Sequence, residues 1–433
     1  MSQDVCVVGL GRLGLPLAVQ FALKGHRVTG ADIAPGVVDG VNRGVPPFPR
    51  EAGLDQALKR VVAEGRLRAT TDTTAAAAGA EVVVLVVPLV TAADGTPDFA
   101  PLDAATDAVA AGLRRGALVS YETTLPVGTT RERWAPRLAA GSGLAAGTDF
   151  ALVFSPERVR IGRVLADLRR YPKLVGGLDA SSTRRGGEFY RAVLDFDPRP
   201  DLPRPNGVWE LASVEAAEFS KLAETTYRDV NIALANQFAR YADEVGVDFA
   251  EVVDACNSQP YSHLHRPGIA VGGRCIPVYP RLYLWNDPGA TVVRAAREAN
   301  LAVPEYAVGM LAGAVPGGIA GQGVLVLGAS YRGGVKETAY SGVFPLVEAV
   351  RSAGARPYVA DPLYEAEELA ALGLPPYVGE PVVAAVLQAD HPEYRDLTPV
   401  DLPGVRVLLD GRRCTDPKRW AGTDVRRMVL GGG

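Results

Sequence analysis

Val5-Cys6-Val7-Val8-Gly9-Leu10-Gly11-Arg12-Leu13-Gly14 is the stretch on which the fold turns. A short apolar, mostly β-branched run leads straight into Gly-x-Gly-x-x-Gly, and Leu15 to Leu23 then reads as a helix. Strand, glycine turn and helix form the setting in which this motif holds a dinucleotide. Gly9 permits the tight turn, and Gly11 lets the backbone approach a pyrophosphate at the helix N-terminus. Gly14 lets the helix pack closely on the sheet. Arg12 and Leu13 occupy the variable positions, and the Arg12 guanidinium either covers the pyrophosphate or points to solvent. A second strand, Arg27-Val28-Thr29-Gly30-Ala31, is followed by Asp32. A carboxylate there accepts hydrogen bonds from ribose hydroxyls and repels a 2′-phosphate, so NAD is expected rather than NADP. The bland alternative is a glycine-rich turn without a cofactor. The flanking strand, the helix and the acid together weigh against it.

Outward from this unit, apolar runs and Ala/Leu-rich segments keep alternating. Val82 to Val87 is a continuous β-branched run of the kind covered on both faces. Ala117-Leu118-Val119-Ser120 and Ala151-Leu152-Val153-Phe154 repeat the pattern, and Ala75 to Ala80 looks helical. Such alternation implies a parallel, doubly wound sheet. Asp197 to Val208, with four prolines, reads as a linker. Glu210 to Val245 has helical spacing and neither Pro nor Gly, which predicts one or two long helices. A second α/β pattern begins near Gly321, with strands at Val324–Leu327, Pro357–Asp361 and Val405–Asp410 and a helix at Phe344–Ala353. The fold class expected is α/β: two Rossmann-like doubly wound sheet domains joined by a central all-helical domain. The boundaries expected are residues 1–205, 206–304 and 305–433.

A chain of 433 residues with a net charge of −4 leaves no basic footprint for a nucleic acid. The N-terminus Met1-Ser2-Gln3-Asp4 has no basic leader, and the longest apolar run, Val82 to Ala93, is too short for a bilayer and contains Pro88. Four scattered cysteines suit a reducing cytoplasm better than a disulfide framework. No membrane partner and no metal are expected. Cys6, inside a strand, reads as a small core residue.

Arg266-Pro267-Gly268-Ile269-Ala270-Val271-Gly272-Gly273-Arg274-Cys275-Ile276-Pro277 is the second informative stretch. Glycines let backbone amides approach a ligand, and Arg274 beside the thiol favours the thiolate. The competing reading is a flexible glycine loop with an incidental cysteine. The loop resembles the Gly-Gly-x-Cys-x-Pro signature of the UDP-glucose/GDP-mannose dehydrogenase family, closest to the branch acting on UDP-N-acetylhexosamines. Tyr121 to Thr130 is similar to that family's E-S-T-x-P-x-G-T segment, and Phe154-Ser155-Pro156-Glu157-Arg158-Val159 to its S-P-E-R loop. Lys221-Leu222 and Tyr227 to Ala233 resemble its central helix, and Gly328-Ala329-Ser330-Tyr331-Arg332 the start of its C-terminal domain.

The resemblance implies an NAD-dependent, four-electron oxidation of a sugar C6 alcohol to a carboxylate. Cys275 would be the nucleophile, passing through a thiohemiacetal and a thioester. Lys221 would stabilise oxyanions, and Glu157 with Thr124 would move protons. Val87, Pro88, Thr124 and Glu157 would line the cofactor beside Gly9, Gly11, Arg12, Leu13, Gly14 and Asp32. Arg158, Val159, Lys221, Arg266, Gly268, Gly272, Gly273, Tyr331 and Arg332 would bind the nucleotide sugar. The central helix would make a homodimer. Taken singly, Lys221 reads as a solvated helix lysine, Glu157 as a surface turn residue and Thr124 as a cap. This chain also departs from the family: Tyr279 stands where it usually has Asp, Thr225 where it has Asn, Ala339 where it has Arg, and Gln237 where it has Glu. Two alternatives stay open: a two-electron alcohol dehydrogenase on an unusual nucleotide sugar, and a degenerate nucleotide-binding paralogue.

Overall fold

The computed structural model describes residues 2–48, 51–92 and 94–433. Met1 and Ala93, named above at the N-terminus and at the end of the apolar run, lie outside the described residues. Two compact units divide the chain, Met1–Glu224 and Thr225–Gly433.

In the first unit β1 (Asp4–Val8), β2 (Arg27–Ala31), β3 (Leu67–Thr70), β4 (Val82–Leu85), β5 (Leu118–Tyr121), β6 (Ala151–Phe154), β7 (Lys173–Gly177) and β8 (Val208–Leu211) form one sheet. Its order is β8-β7-β6-β5-β4-β1-β2-β3. The 3-2-1-4-5-6 core is the doubly wound order with its switch point between β1 and β4. Alternation along the strands gives the sheet two apolar faces. Val5 and Val7 pack with Leu15, Leu17 and Phe21 of α1 (Gly14–Leu23), whereas Cys6 and Val8 pack with Leu102, Val109 and Trp134. Burial on both faces is why these strands read as unbroken apolar runs.

Two expectations need correction. The sheet is not wholly parallel: β7 runs antiparallel to β6, although it pairs parallel with β8. And the helix predicted from Glu210 begins later. Val208–Leu211 is the edge strand, because β-branched Val208 and aromatic Trp209 extend the sheet beside Lys173 and Leu174. Ser213 accepts from the Ala216 amide at 3.2 Å and starts α2 (Val214–Val245), inside which the unit boundary falls.

The second unit, described by itself, carries β9 (Gly323–Leu327), β10 (Arg356–Ala360), β11 (Ala384–Leu387), β12 (Val407–Asp410) and β13 (Arg426–Val429). They are all parallel, in the order β10-β9-β11-β12-β13. Val324 and Val326 meet Ala307 and Leu311 of the helix Thr291–Ala314 on one face, and Leu325 and Leu327 meet Tyr394 and Trp420 on the other. A buried polar chain ties this helix to α2. Arg297 donates to Asp229 Oδ1 (2.6 Å), Asn300 donates to the same oxygen (2.8 Å), and Asn236 donates to Asn300 Oδ1 (2.9 Å). Among the described residues no helix is long and apolar enough to cross a membrane, and no three metal-ligating side chains cluster.

Two outcomes follow for stability. Arg297→Met strands the buried Asp229 carboxylate and should cost about 3–5 kcal/mol in chemical denaturation. Glu218 of α2 is buried and accepts from Gly128 N (2.6 Å), Thr130 N (2.9 Å) and Thr130 Oγ1 (2.6 Å). Burial outweighs these donors and pushes its carboxyl from 4.5 up to about 7. The folded state therefore holds this proton more tightly than the unfolded state. Its stabilising contribution is full below about pH 4.5 and is lost as pH rises through 7. Glu218→Gln should flatten that decline in a plot of denaturation midpoint against pH.

Candidate functional site

At the carboxyl end of β1 the glycine turn has the geometry a dinucleotide needs. Gly9 sits at φ +92°, where an L side chain is strained. A Cβ on Gly14 would fall 1.8 Å from the Gly9 carbonyl oxygen, while a Cβ on Gly11 would meet nothing within 4 Å. So Gly14 is required for packing, and Gly11 leaves open backbone beside the start of α1. No side chain caps that helix at Leu13, and no acid occupies its first turn. Leu15 donates to Gly11 O (3.1 Å) and Pro16 has no N–H, so an anion would meet the amides of the turn itself and of Gly14. Asp32 holds the turn, accepting from Leu10 N (2.8 Å) and Ala34 N (3.0 Å). The Arg12 guanidinium lies 5.8 Å from the centre of the Phe48 ring. Val87 accepts from Thr123 Oγ1 at 2.6 Å, which ties the end of β4 to the end of β5; Pro88 next to it is exposed. The residues fit a bound dinucleotide.

Two strands along, charged side chains gather in the same unit. Thr124, Glu157 and Lys221 are only 5%, 7% and 7% exposed. None is a solvated surface residue. Lys173 Nζ donates to Glu122 Oε2 (2.6 Å) and also bonds Glu157 Oε1. Tyr190 Oη donates to Glu122 Oε1 (2.6 Å). Burial raises the Glu122 carboxyl well above its usual range. Burial acts the same way on Glu157, but the Lys173 charge, hydrogen bonds from Glu122 and Lys173 and the Lys221 charge together hold that carboxyl below its usual range. Glu224 is flanked by Lys221 (3.1 Å) and Arg158 (2.9 Å). Burial pushes it up, and the two cations bring it below normal. Val159 packs against the apolar core beside them. Glu122, Lys173 and Glu224 escaped the sequence reading. Glu122 lies inside the quoted Tyr121–Thr130 segment; Lys173 stands alone before a short apolar run and carries no motif.

In the second unit the cysteine loop is a packed loop. A Cβ on Gly272 would lie 2.6 Å from Tyr331 Cβ, and one on Gly273 would lie 3.0 Å from the Tyr331 ring. Gly273, at φ +88°, donates its amide to Ala339 O (3.0 Å). Gly268 donates to the buried Asn236 side chain (3.0 Å). Cys275 stays exposed, just before the helix Tyr279–Asn286, with Tyr279 Oη 3.8 Å from its sulfur. Arg274 faces Glu337 at 3.6 Å, so its charge is shared with a carboxylate rather than reserved for the thiol. Arg266 pairs with Asp254 on the surface. Tyr331 and Arg332 follow β9, and Arg332 Nε donates to Tyr331 Oη (2.9 Å). Asp361, after β10, accepts from Ala329 N (2.8 Å) and Ser330 N (2.9 Å).

Comparison with known proteins agrees with this geometry. Residues 3–194 match the NAD-binding domain of the UDP-glucose/GDP-mannose dehydrogenase family, and residues 215–301 match its central domain. The chain is 34% identical over 417 residues to UDP-N-acetyl-D-mannosamine dehydrogenase of Pyrococcus horikoshii, covering 94% of this chain and 95% of that one. It is 30% identical over 434 residues to NDP-N-acetyl-D-galactosaminuronic acid dehydrogenase of Ralstonia solanacearum, covering 97% and 98%. The solved UDP-D-ManNAc dehydrogenase of Pyrococcus horikoshii superposes with a TM-score of 0.86 at 32% identity over 99% of each chain. With an NAD-binding turn, a central helix and a C-terminal sheet all matched, the chain belongs to the UDP-glucose/GDP-mannose dehydrogenase family.

Proposed function

We propose that the protein is an NAD-dependent nucleotide-sugar 6-dehydrogenase that carries the C6 alcohol of a UDP-N-acetylhexosamine to the carboxylate. The observation that carries this reading is Cys275: an exposed thiol on a loop otherwise pinned by glycine packing and backbone hydrogen bonds. A cysteine with only a packing role is normally buried, as Cys6 is. The names of the relatives, which oxidise N-acetylated amino-sugar nucleotides, support the substrate class.

When bound, NAD supplies a hydride acceptor for each of the two oxidations. Gly9, Gly11, Arg12, Leu13, Gly14, Asp32, Val87 and Pro88 hold it. The residues of this chain do the rest. Cys275 adds to the C6 aldehyde to give a thiohemiacetal, whose oxidation leaves a thioester. Lys221, cationic and buried, stabilises the oxyanion formed at each addition. Glu157 and Thr124 move protons to and from the sugar oxygen and water. The Tyr279 hydroxyl accepts from the Cys275 thiol (3.8 Å) and can donate to the sulfur once the proton has left. Arg158, Val159, Arg266, Gly268, Gly272, Gly273, Tyr331 and Arg332 bind the nucleotide sugar. We assign residues 1–205 to cofactor binding, 206–304 to the central helices with the cysteine loop, and 305–433 to the nucleotide. Tyr227, Leu234, Phe238, Tyr241 and Val245 are exposed along α2 at near-heptad spacing, which supports a homodimer. NAD, the substrate class and four free cysteines together favour the cytoplasm.

Assayed with a panel of nucleotide sugars, the true substrate should yield two NADH and the uronic acid by mass. One NADH and an aldehyde would replace this reading with a two-electron dehydrogenase. Cys275→Ala should lower acid formation about 10³-fold or more. Gly14→Ala places a Cβ against the Gly9 carbonyl and should weaken NAD binding at least about tenfold by calorimetry.

A further inference from the structure

The reversal of β7 has a chemical result. In a wholly parallel sheet, the first residue of a strand lies at the edge opposite the one where loops carry ligands. Because β7 runs antiparallel to β6, its first residue, Lys173, comes to the edge where β5 and β6 end. Phe154 pairs with Gly176 and Val153 with Gly177. Continuing that register sets Glu157 opposite Lys173. Glu122, one residue past β5, completes the group.

The three side chains are almost sealed: 0% exposed for Glu122, 5% for Lys173 and 5% for Glu157. Both Glu122 oxygens are taken, one by Lys173 and one by Tyr190, itself backed by Ser120 at 2.7 Å. Of the two carboxyls, Glu157 is the one that lines a cavity, with Arg158, Asp167, Tyr171 and Lys173 itself. Two carboxyls and one ammonium cannot all stay charged in a sealed site without leaving net charge in a low dielectric. These three side chains by themselves carry one excess negative charge unless a carboxyl holds a proton.

We propose that Lys173 is a positioning residue for the reaction, holding Glu157 ionised and aimed while Glu122 keeps the proton, so that Glu157 receives the proton of the hydrolytic water. This deepens the reading given above and rests on Glu157 and Cys275 having the roles assigned there. In the step concerned, water oxygen bonds the acyl carbon as one O–H breaks, and that proton goes to Glu157. The C–S bond then breaks, and Cys275 leaves as thiolate with the electron pair. The groups facing Glu157 are Lys173 from β7, Glu122 from the end of β5 and Lys221 from α2; Tyr190 of the helix Ala180–Val193 and the Arg158–Glu224 pair stand behind them. The directions in which the two carboxyls shift, Glu122 up and Glu157 down, agree with this division.

The test uses the full-length protein with NAD and UDP-N-acetyl-D-mannosamine. Lys173→Met should lower kcat for acid about 10²-fold or more with KM little changed. The acidic limb of its pH profile should move to higher pH, because Glu157 loses the charge that keeps it ionised. A covalent acyl adduct on Cys275 should accumulate in intact-protein mass spectra. Lys173→Arg should restore the limb and clear the adduct. A limb that stays in place, with no adduct, overturns the proposal and leaves Lys173 a structural residue. Infrared difference spectra of the folded protein, in which the Glu218 band cancels, need no Lys173 variant: a buried protonated carboxyl band at neutral pH should be lost in Glu122→Gln and kept in Glu157→Gln, and the reverse overturns the proposal. Acid formed at the wild-type rate by Cys275→Ala would instead overturn the function, with these infrared results unaffected.

Discussion

A Cβ on residue 14 would fall on the carbonyl oxygen of Gly9, and on that one exclusion the cofactor half of the protein rests. With hydrogen at that position, α1 lies close against β1 and the turn between them exposes amides. Asp32 then closes the turn from the end of β2 through the Leu10 amide. The second sheet uses the same device without the glycine fingerprint: Asp361 after β10 accepts the amides of Ala329 and Ser330 after β9. In both, an acid at the end of the strand beside the first one sets the loop leaving the switch point, where open parallel sheets bind ligands.

Charge in the first unit is arranged against burial. Desolvation alone would neutralise Glu157 and Glu224. Each stays ionised because cations stand within hydrogen-bond reach, Lys173 for the first, Lys221 and Arg158 for the second. Glu122 and Glu218 show the other outcome. Their donors do not overcome burial, and their carboxyls are pushed up. Removing a buried cation therefore changes protonation as well as packing, a consequence that substituting a surface lysine would not have.

What could be read in the sequence is what is local. The Gly9–Gly14 turn, the acid at 32 and the runs at Val5, Val82 and Ala151 announce themselves, because backbone sterics and two-faced burial act on neighbouring residues. That Cys275 sits on a loop was legible through the small residues before it. The direction of a strand is not local. Leu174 and Val175 read as strand in either orientation, and nothing near Lys173 says that β7 reverses. Nor does Val208-Trp209-Glu210-Leu211 distinguish an edge strand from the first turn of a helix until Lys173 and Leu174 supply a partner. The glycines at 272 and 273 looked like freedom; they are room for Tyr331 and a bond to Ala339.

The same geometry bears on the positions where this chain departs from its family. Position 339 holds the cysteine loop through its backbone carbonyl, which any residue supplies, so Ala339 forfeits a side-chain contact without loosening Gly273. Tyr279 keeps a hydroxyl 3.8 Å from the Cys275 sulfur. A phenol steadies a thiolate or a departing sulfur by hydrogen bonding, yet near neutral pH it is not a proton acceptor as a carboxylate is. In the reaction we propose, the proton of water goes instead to a carboxylate that is ionised despite burial. Glu157 is the one we propose, and the ammonium of Lys173 bonded to it favours its ionised form.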